Sequence, residues 1–153
     1  MTVLLGIDLG ERRIGVAVGD TSSGSVKPLL TLRRGTSNQD AEAIDRIRSE
    51  RHAEAVVVGL PLNMDGSEGE QSTRTRRWVA EVEPLLAVPI TLRDERRTST
   101  EAETRMGQPP RGRSGGPPST KTRNAWRARI DREAAAAIVQ REIDARTIAE
   151  VEA

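Results

Sequence analysis

Val3-Leu-Leu-Gly-Ile-Asp8-Leu-Gly-Glu-Arg-Arg13-Ile-Gly-Val-Ala-Val-Gly-Asp20 is the stretch that decides the fold. Val3 to Ile7 is a short continuous apolar run, the pattern of a central strand buried on both faces. Leu9 to Arg13 reads as a tight connection, and Ile14, Val16 and Val18 then alternate with Gly15, Ala17 and Gly19, so the two segments predict a hairpin. Asp8 closes the first strand. A carboxylate placed directly after a buried strand is the first hint of chemistry.

Working outward, Val26 to Leu32 predicts a third strand, in which Pro28 cannot donate a ladder hydrogen bond and so favours an edge. Ser37 to Arg51 turns helical, with Ser37-x-x-Asp40 as a capping box and Ala43, Ile44 and Ile47 on one face. Ala55 to Val58 is a buried strand ending at Gly59-Leu-Pro61. Ser67-x-x-Glu70 opens a second helix with Trp78, Val79, Val82, Leu85 and Leu86 inward, broken near its end by Pro84. Pro89 to Leu92 is a fifth strand, Thr98-x-x-Glu101 caps a short third helix, and Asp131 starts a last helix carrying Ala134, Ala135, Ile138, Val139 and Ile143. Five strands interleaved with helices give an α/β layered domain over residues 1–146, with a C-terminal tail over 147–153. Gly107 to Pro118 holds four Pro, four Gly and no aliphatic side chain in twelve residues, which predicts a mobile loop.

Composition narrows the function classes. The 153 residues contain no Cys, Phe or Tyr, one His and two Trp. Disulfides, thiol chemistry and thiolate metal sites are excluded, and a reducing cytoplasm is the expected location. His52 alone cannot build a poly-His site, and it falls at the expected end of a helix, where a solvated structural role suits it. The shortage of aromatic rings argues against base-stacking platforms. The N-terminus has no basic region before Asp8, and no apolar run approaches the length of a membrane span, so no membrane partner is expected.

Net charge is +1, yet residues 104–130 carry seven basic and no acidic side chains, against 14 basic and 17 acidic in residues 1–103. This cationic stretch, with Lys121, Arg123, Arg127 and Arg129 just before Asp131, reads either as a solvated loop or as a phosphate-contacting surface.

Three acids stand at element ends: Asp8, Asp94-Glu95 after the fifth strand, and Asp131. If the first and last strands are neighbours, Asp8 and Glu95 converge and Asp131 reaches them from the helix start. Clustered carboxylates repel one another and call for a hard divalent cation held through oxygen, and two such ions form the usual clamp for hydrolysis of a phosphodiester. Each acid also has a structural role open to it: a turn residue for Asp8, an ion pair with Arg96 or Arg97 for Glu95, an N-cap for Asp131.

Gly6 to Asp20, Val58-Gly-Leu-Pro-Leu-Asn63-Met-Asp-Gly66, Asp94-Glu95-Arg-Arg-Thr98-Ser99 and Ile130-Asp131-Arg-Glu-Ala134-Ala135 occur in the order of a known motif set. The chain resembles, from about residue 3 to 143, the pre-16S rRNA nuclease family, also described as Holliday-junction-resolvase-like. The resemblance implies a ribonuclease H-like mixed five-stranded sheet with helices on both faces. It also implies Asp8, Glu95 and Asp131 as the catalytic, metal-binding acids for Mg²⁺ or Mn²⁺, two ions being usual. Arg13, Asn63, Thr98 and Ser99 would lie around the substrate phosphates. The implied activity is processing of the 5' end of pre-16S rRNA, with resolution of four-way DNA junctions and an inactive nucleic-acid-binding module as alternatives. Two features depart from the family pattern: a linker between Glu95 and Asp131 some ten residues longer, and Arg97 in place of an aliphatic residue. Gly-Ile-Asp-Leu-Gly also opens actin-like kinases, but these need two lobes and this length supplies one. Oligomeric state has no signature in the chain.

Overall fold

The computed structural model describes residues 2–95 and 106–152. Its sheet has five strands: β1 (Val3–Leu9), β2 (Arg13–Asp20), β3 (Val26–Arg33), β4 (Ala55–Pro61) and β5 (Ile90–Glu95), in the order β3-β2-β1-β4-β5. β1, β2 and β3 form an antiparallel meander, whereas β4 and β5 add parallel to β1. The expected hairpin is present, with Asp8 directly opposite Gly15. Pro28 lies on the edge strand β3, next to a register shift between Val16 and Ala17. The condition that the first and last strands be neighbours is not met: β4 lies between β1 and β5. Its run Ala55 to Leu60 is buried throughout, as a strand flanked on both sides and covered on both faces must be.

The period-2 alternation of β1, β2 and β4 divides the core in two. Leu5, Ile7, Ile14, Val16, Val56 and Val58 face α1 (Ser37–Glu50) and α2 (Glu70–Val82), which contribute Ile44, Ile47, Trp78, Val79 and Val82. Leu4, Ala17, Ala55 and Val57 face the other way, against Ala135, Ile138, Val139 and Ile143 of α3 (Thr120–Glu152). Each fully buried aliphatic side chain contributes about 1.5–3 kcal/mol, so neither layer is dispensable.

Four boundaries differ from expectation. Helix α1 is capped by Thr36, whose hydroxyl accepts from the Gln39 N–H while Gln39 reaches back. Asp40, expected in that box, is instead buried and accepts from the Trp78 indole N–H at 3.1 Å. Helix α2 begins at Glu70 behind Gly69, because Ser67 is engaged in a turn with Asp65, and Leu85 falls in a following 3-10 turn, 51% exposed. Helix α3 starts at Thr120, eleven residues before Asp131, and runs on through residues 147–152 of the expected tail. At about 1.5 Å per residue it is roughly 50 Å long. The short helix expected from Thr98 lies outside the described residues. Residues 107–119 contain no helix or strand. Among the described residues no helix is long and apolar enough to cross a membrane.

Candidate functional site

The position of α3 is set by glycines. Gly6, Gly15, Gly19 and Gly59 all lie on the sheet face that α3 covers. A Cβ on Gly6 would stand 2.1 Å from Val139 Cγ2, and one on Gly19 would stand 2.3 Å from Val139 Cγ1. At Gly15 the contact is with backbone: a Cβ would lie 1.9 Å from the Asp131 carbonyl oxygen. Since Gly15 is paired with Asp8, this contact sets Asp131 beside Asp8. Asp131 is therefore delivered from three turns inside a helix, not from its N-cap as expected.

Glu95 reaches the same place by a different route. It pairs with Pro61 at the end of β5, one strand removed from β1. Its side chain leans across Gly59, where a Cβ would stand 2.7 Å from Glu95 Cγ. The missing side chain on the intervening strand is what lets Glu95 approach. Asp8, Glu95 and Asp131 thus line one cleft of about 330 Å³, together with Arg34, Arg74 and Gln71.

The electrostatics of the cleft are specific. Burial pushes the Asp8 carboxyl up from 3.8 to about 7, and the charge of Asp131 pushes it the same way. Asp8 stays partly open to the cleft, so the proton it exchanges is accessible. Asp131 is held by Arg13, whose Nε donates to Oδ2 at 2.6 Å. Glu95, 6% exposed, accepts from Arg141 Nη1 at 3.1 Å; Arg96 and Arg97, its expected partners, lie outside the described residues. At the next position, the buried Glu142 accepts from Arg93 at 2.7 Å and from Arg146 at 3.0 Å, and fixes α3 against β5.

The chemistry of Asp8 and Asp131 fits a divalent cation: both are oxygen donors, and their mutual repulsion is the kind a cation relieves. Glu95 stands on the same cleft. Among the described residues, though, no three acidic side chains are grouped so as to hold one ion; Arg13 engages Asp131 and Arg141 engages Glu95.

The other expected site residues fare unequally. Arg13 is at the centre, as a partner of Asp131. Asn63 is exposed and does not line the acid cleft; its amide donates to Ser67 Oγ at 3.0 Å inside the turn after β4. Thr98 and Ser99 lie outside the described residues. Lys121, Arg123, Arg127 and Arg129 are exposed, on helix and not on loop. Arg127 lines a recess shared with Arg12, Arg13, Asn124 and Asp131. Arg129 points about 200° round the helix from Arg127, and Lys121 about 120°, so neither shares that face. Sequence reasoning missed Arg141 and the spacer role of Gly15 and Gly59. The alternation Gly15-Ala17-Gly19 was the available signal, since glycine inside a strand often marks close approach of another backbone.

Residues 2–145 match the family model RuvX, described as Holliday junction resolvase. A protein of Synechococcus elongatus (strain ATCC 33912 / PCC 7942 / FACHB-805) is 43% identical over 140 residues, covering 92% of this chain and 87% of that one. A protein of Anaeromyxobacter sp. (strain K) is 39% identical over 142 residues, covering 93% and 96%. Both bear the name "Putative pre-16S rRNA nuclease". Among solved structures, T. thermophilus RuvC in complex with Holliday junction substrate aligns with a TM-score of 0.51 at 15% identity, covering 96% of each chain. The fowlpox virus Holliday junction resolvase aligns with a TM-score of 0.53 at 10% identity, covering 94% of this chain and 99% of that one. At such identities the likeness is one of fold, and the expected ribonuclease H-like mixed sheet with helices on both faces is borne out.

Proposed function

The chain belongs to the RuvX family, and from that premise we propose that it is a divalent-metal-dependent nuclease that hydrolyses phosphodiester bonds at the 5' end of pre-16S rRNA in the cytoplasm. The observation that carries this reading is the meeting of Asp8 and Asp131 across Gly15, with Glu95 on the same cleft. Mg²⁺ or Mn²⁺ held by these carboxylates would supply Lewis-acid activation of water and stabilisation of the departing 3' oxygen.

The chain's own groups do the rest. Asp131 is oriented by Arg13 and Glu95 by Arg141, so neither acid has to be ordered when substrate arrives. Asp8, raised to about 7 chiefly by burial, exchanges its proton near neutral pH. Arg34 and Arg74 on the cleft wall offset the charge of an incoming phosphate. His52, left-handed and exposed after α1, sits beyond the start of β4, whereas the acids lie at its end. It takes no part in proton transfer.

The family description favours a second substrate, a four-way DNA junction. Incubating the protein with Mg²⁺ or Mn²⁺ and either a pre-16S leader RNA or a four-way DNA junction separates the two. Cleavage of the RNA at its mature 5' boundary, abolished in Asp8→Asn, is the expected result. Faster cleavage of the junction would transfer the activity to DNA, and cleavage of neither would leave a binding module.

A further inference from the structure

The chain's two tryptophans have contrasting surroundings. Trp78 is 3% exposed in the core, and its indole N–H is satisfied by Asp40. Trp126 is half-buried on the first part of α3, and its indole N–H has no acceptor among the described residues. It lines an open recess of about 430 Å³ with Arg123, Arg127, Gln108, Pro109 and Ile130. Positions 123, 126, 127 and 130 form one helix stripe, which Asp131 extends.

The lining of this recess is selective. Trp126, Pro109 and Ile130 give an apolar floor; Arg123 and Arg127 add two guanidinium planes, and Gln108 adds an amide that can donate and accept. Among the described residues no acidic side chain lines it. An aromatic ring beside planar cations suits a flat π-system carried on an anionic chain, which is the chemistry of a nucleobase flanked by phosphates. Arg127 is also a wall of the neighbouring recess that holds Asp131, Arg12 and Arg13, so the two spaces adjoin. Trp126 lies five residues before Asp131, about 7.5 Å along the helix axis.

We infer that the Trp126 recess receives an unpaired nucleobase of the substrate strand, next to the phosphate presented to the acids, so that cleavage is directed to places where a strand is unstacked. The inference rests on the nuclease reading, but it concerns binding and is tested without turnover. A base in a duplex is stacked and paired, and only an unpaired base can enter a side pocket without an opening cost. One ring and two arginines make a single-base site, which is consistent with a chain too poor in aromatic residues for an extended platform.

The probe is a ten-nucleotide oligouridylate in EDTA at fixed KCl, compared with an abasic strand of equal length and charge. Quenching of tryptophan fluorescence reports on Trp126 in the wild type, with Trp78 as constant background, and anisotropy of an end-labelled strand gives the affinities of the wild type and both variants. The base-bearing strand should quench Trp126 and bind roughly five- to hundredfold more tightly than the abasic one. Trp126→Ala should abolish that difference, while Trp126→Phe, which keeps a ring, should retain most of it. If Trp126→Ala fails to fold, the wild-type and Phe comparisons decide. Equal affinity for the two strands, unchanged discrimination in Trp126→Ala, or equal quenching by a ten-residue oligoaspartate would overturn the inference. Loss of the nuclease reading would instead appear as absent cleavage of every nucleic acid, with strand discrimination intact.

Discussion

Gly15 and Asp131 are in backbone contact: the place where a Gly15 Cβ would stand is 1.9 Å from the Asp131 carbonyl oxygen. Two levels of the molecule meet there. On the sheet, Gly15 is the cross-strand partner of Asp8; on the helix, Asp131 carries the second carboxylate and the ion pair with Arg13. Burial is the main reason that Asp8 is raised, and the repulsion from Asp131 that adds to it is built in by this packing contact.

Gly15→Ala should be among the most damaging small substitutions in the chain. The opposing atoms are backbone, so no rotamer change relieves the clash, and overpacking of this kind costs about 1–3 kcal/mol. The helix must lift from β2, taking Asp131 away from Asp8. Urea denaturation should show the stability loss, and metal-dependent cleavage should fall far more than the folded fraction does. Wild-type cleavage in a stable Ala variant would show that the contact does not place Asp131.

Asp8→Asn should stabilise the metal-free protein at pH 8. Between about pH 4 and 7 folded Asp8 keeps a proton that the unfolded chain has lost, so this group makes stability fall as pH rises through that window and level off above about 7. Asparagine removes the penalty. With allowance for the carboxyl's partial access to water, the gain at pH 8 is about 1–3 kcal/mol, shrinking towards zero near pH 4. Thermal melts in EDTA from pH 4 to 9 measure it, and a gain independent of pH would assign the effect to something other than charge. Cleavage by the same variant should collapse.

Much of this arrangement is legible in the sequence, and the failures have physical causes. Asp8 and Glu95 can be placed because an acid after an apolar run marks a strand end whatever the topology. The adjacency of their strands cannot, since β1 and β4 are both apolar runs and nothing in such a run states its neighbour. Asp131 is found by its motif but misplaced, because Thr120 to Arg129 has few apolar residues and does not show a helical stripe. That part of α3 is held by tertiary contacts, such as Thr31 Oγ1 donating to the Ala128 carbonyl at 2.5 Å. Arg141 lies on the polar side of an amphipathic pattern and gives no sign of its partner 46 residues away.

Arg13→Gln should tighten metal binding and weaken substrate binding. Arg13 is the cation already at Asp131 Oδ2, 2.6 Å away. Removing its charge leaves the acid pair more negative, so Mn²⁺ affinity measured by calorimetry should rise several-fold, as expected where an opposing charge within hydrogen-bond distance is lost. KM should increase through loss of a phosphate partner. Unchanged Mn²⁺ affinity would mean that the ion binds away from Asp131.

Cleavage should leave a 5'-phosphate and a 3'-hydroxyl, as attack of water on phosphorus with departure of the 3' oxygen requires. The alternative, attack by the 2'-hydroxyl, commonly uses a histidine acid-base pair, and His52 is separated from the acids by the length of β4. His52→Ala should cleave like wild type. Mass spectrometry of the products checks the ends, and a 2',3'-cyclic phosphate would exclude the proposed route.

The cationic residues before Asp131 should divide by helix face. Arg127 shares a recess with Arg12, Arg13 and Asp131, whereas Arg129 points about 200° away round the helix. Phosphate contacts act through counterion release, so Arg127→Ala should reduce the slope of log K against log salt by about 0.7–0.9. Arg129→Ala should leave the slope nearly unchanged, although it removes the same formal charge from the same helix. The contrast separates contact from bulk charge, since a general electrostatic effect would treat both alike. Binding titrations of the two variants across a range of KCl, on a strand of one shape and several sequences, provide the measurement. Equal slope changes would mean that α3 acts as a diffuse cationic rod, and that the phosphates do not follow the recess beside Asp131.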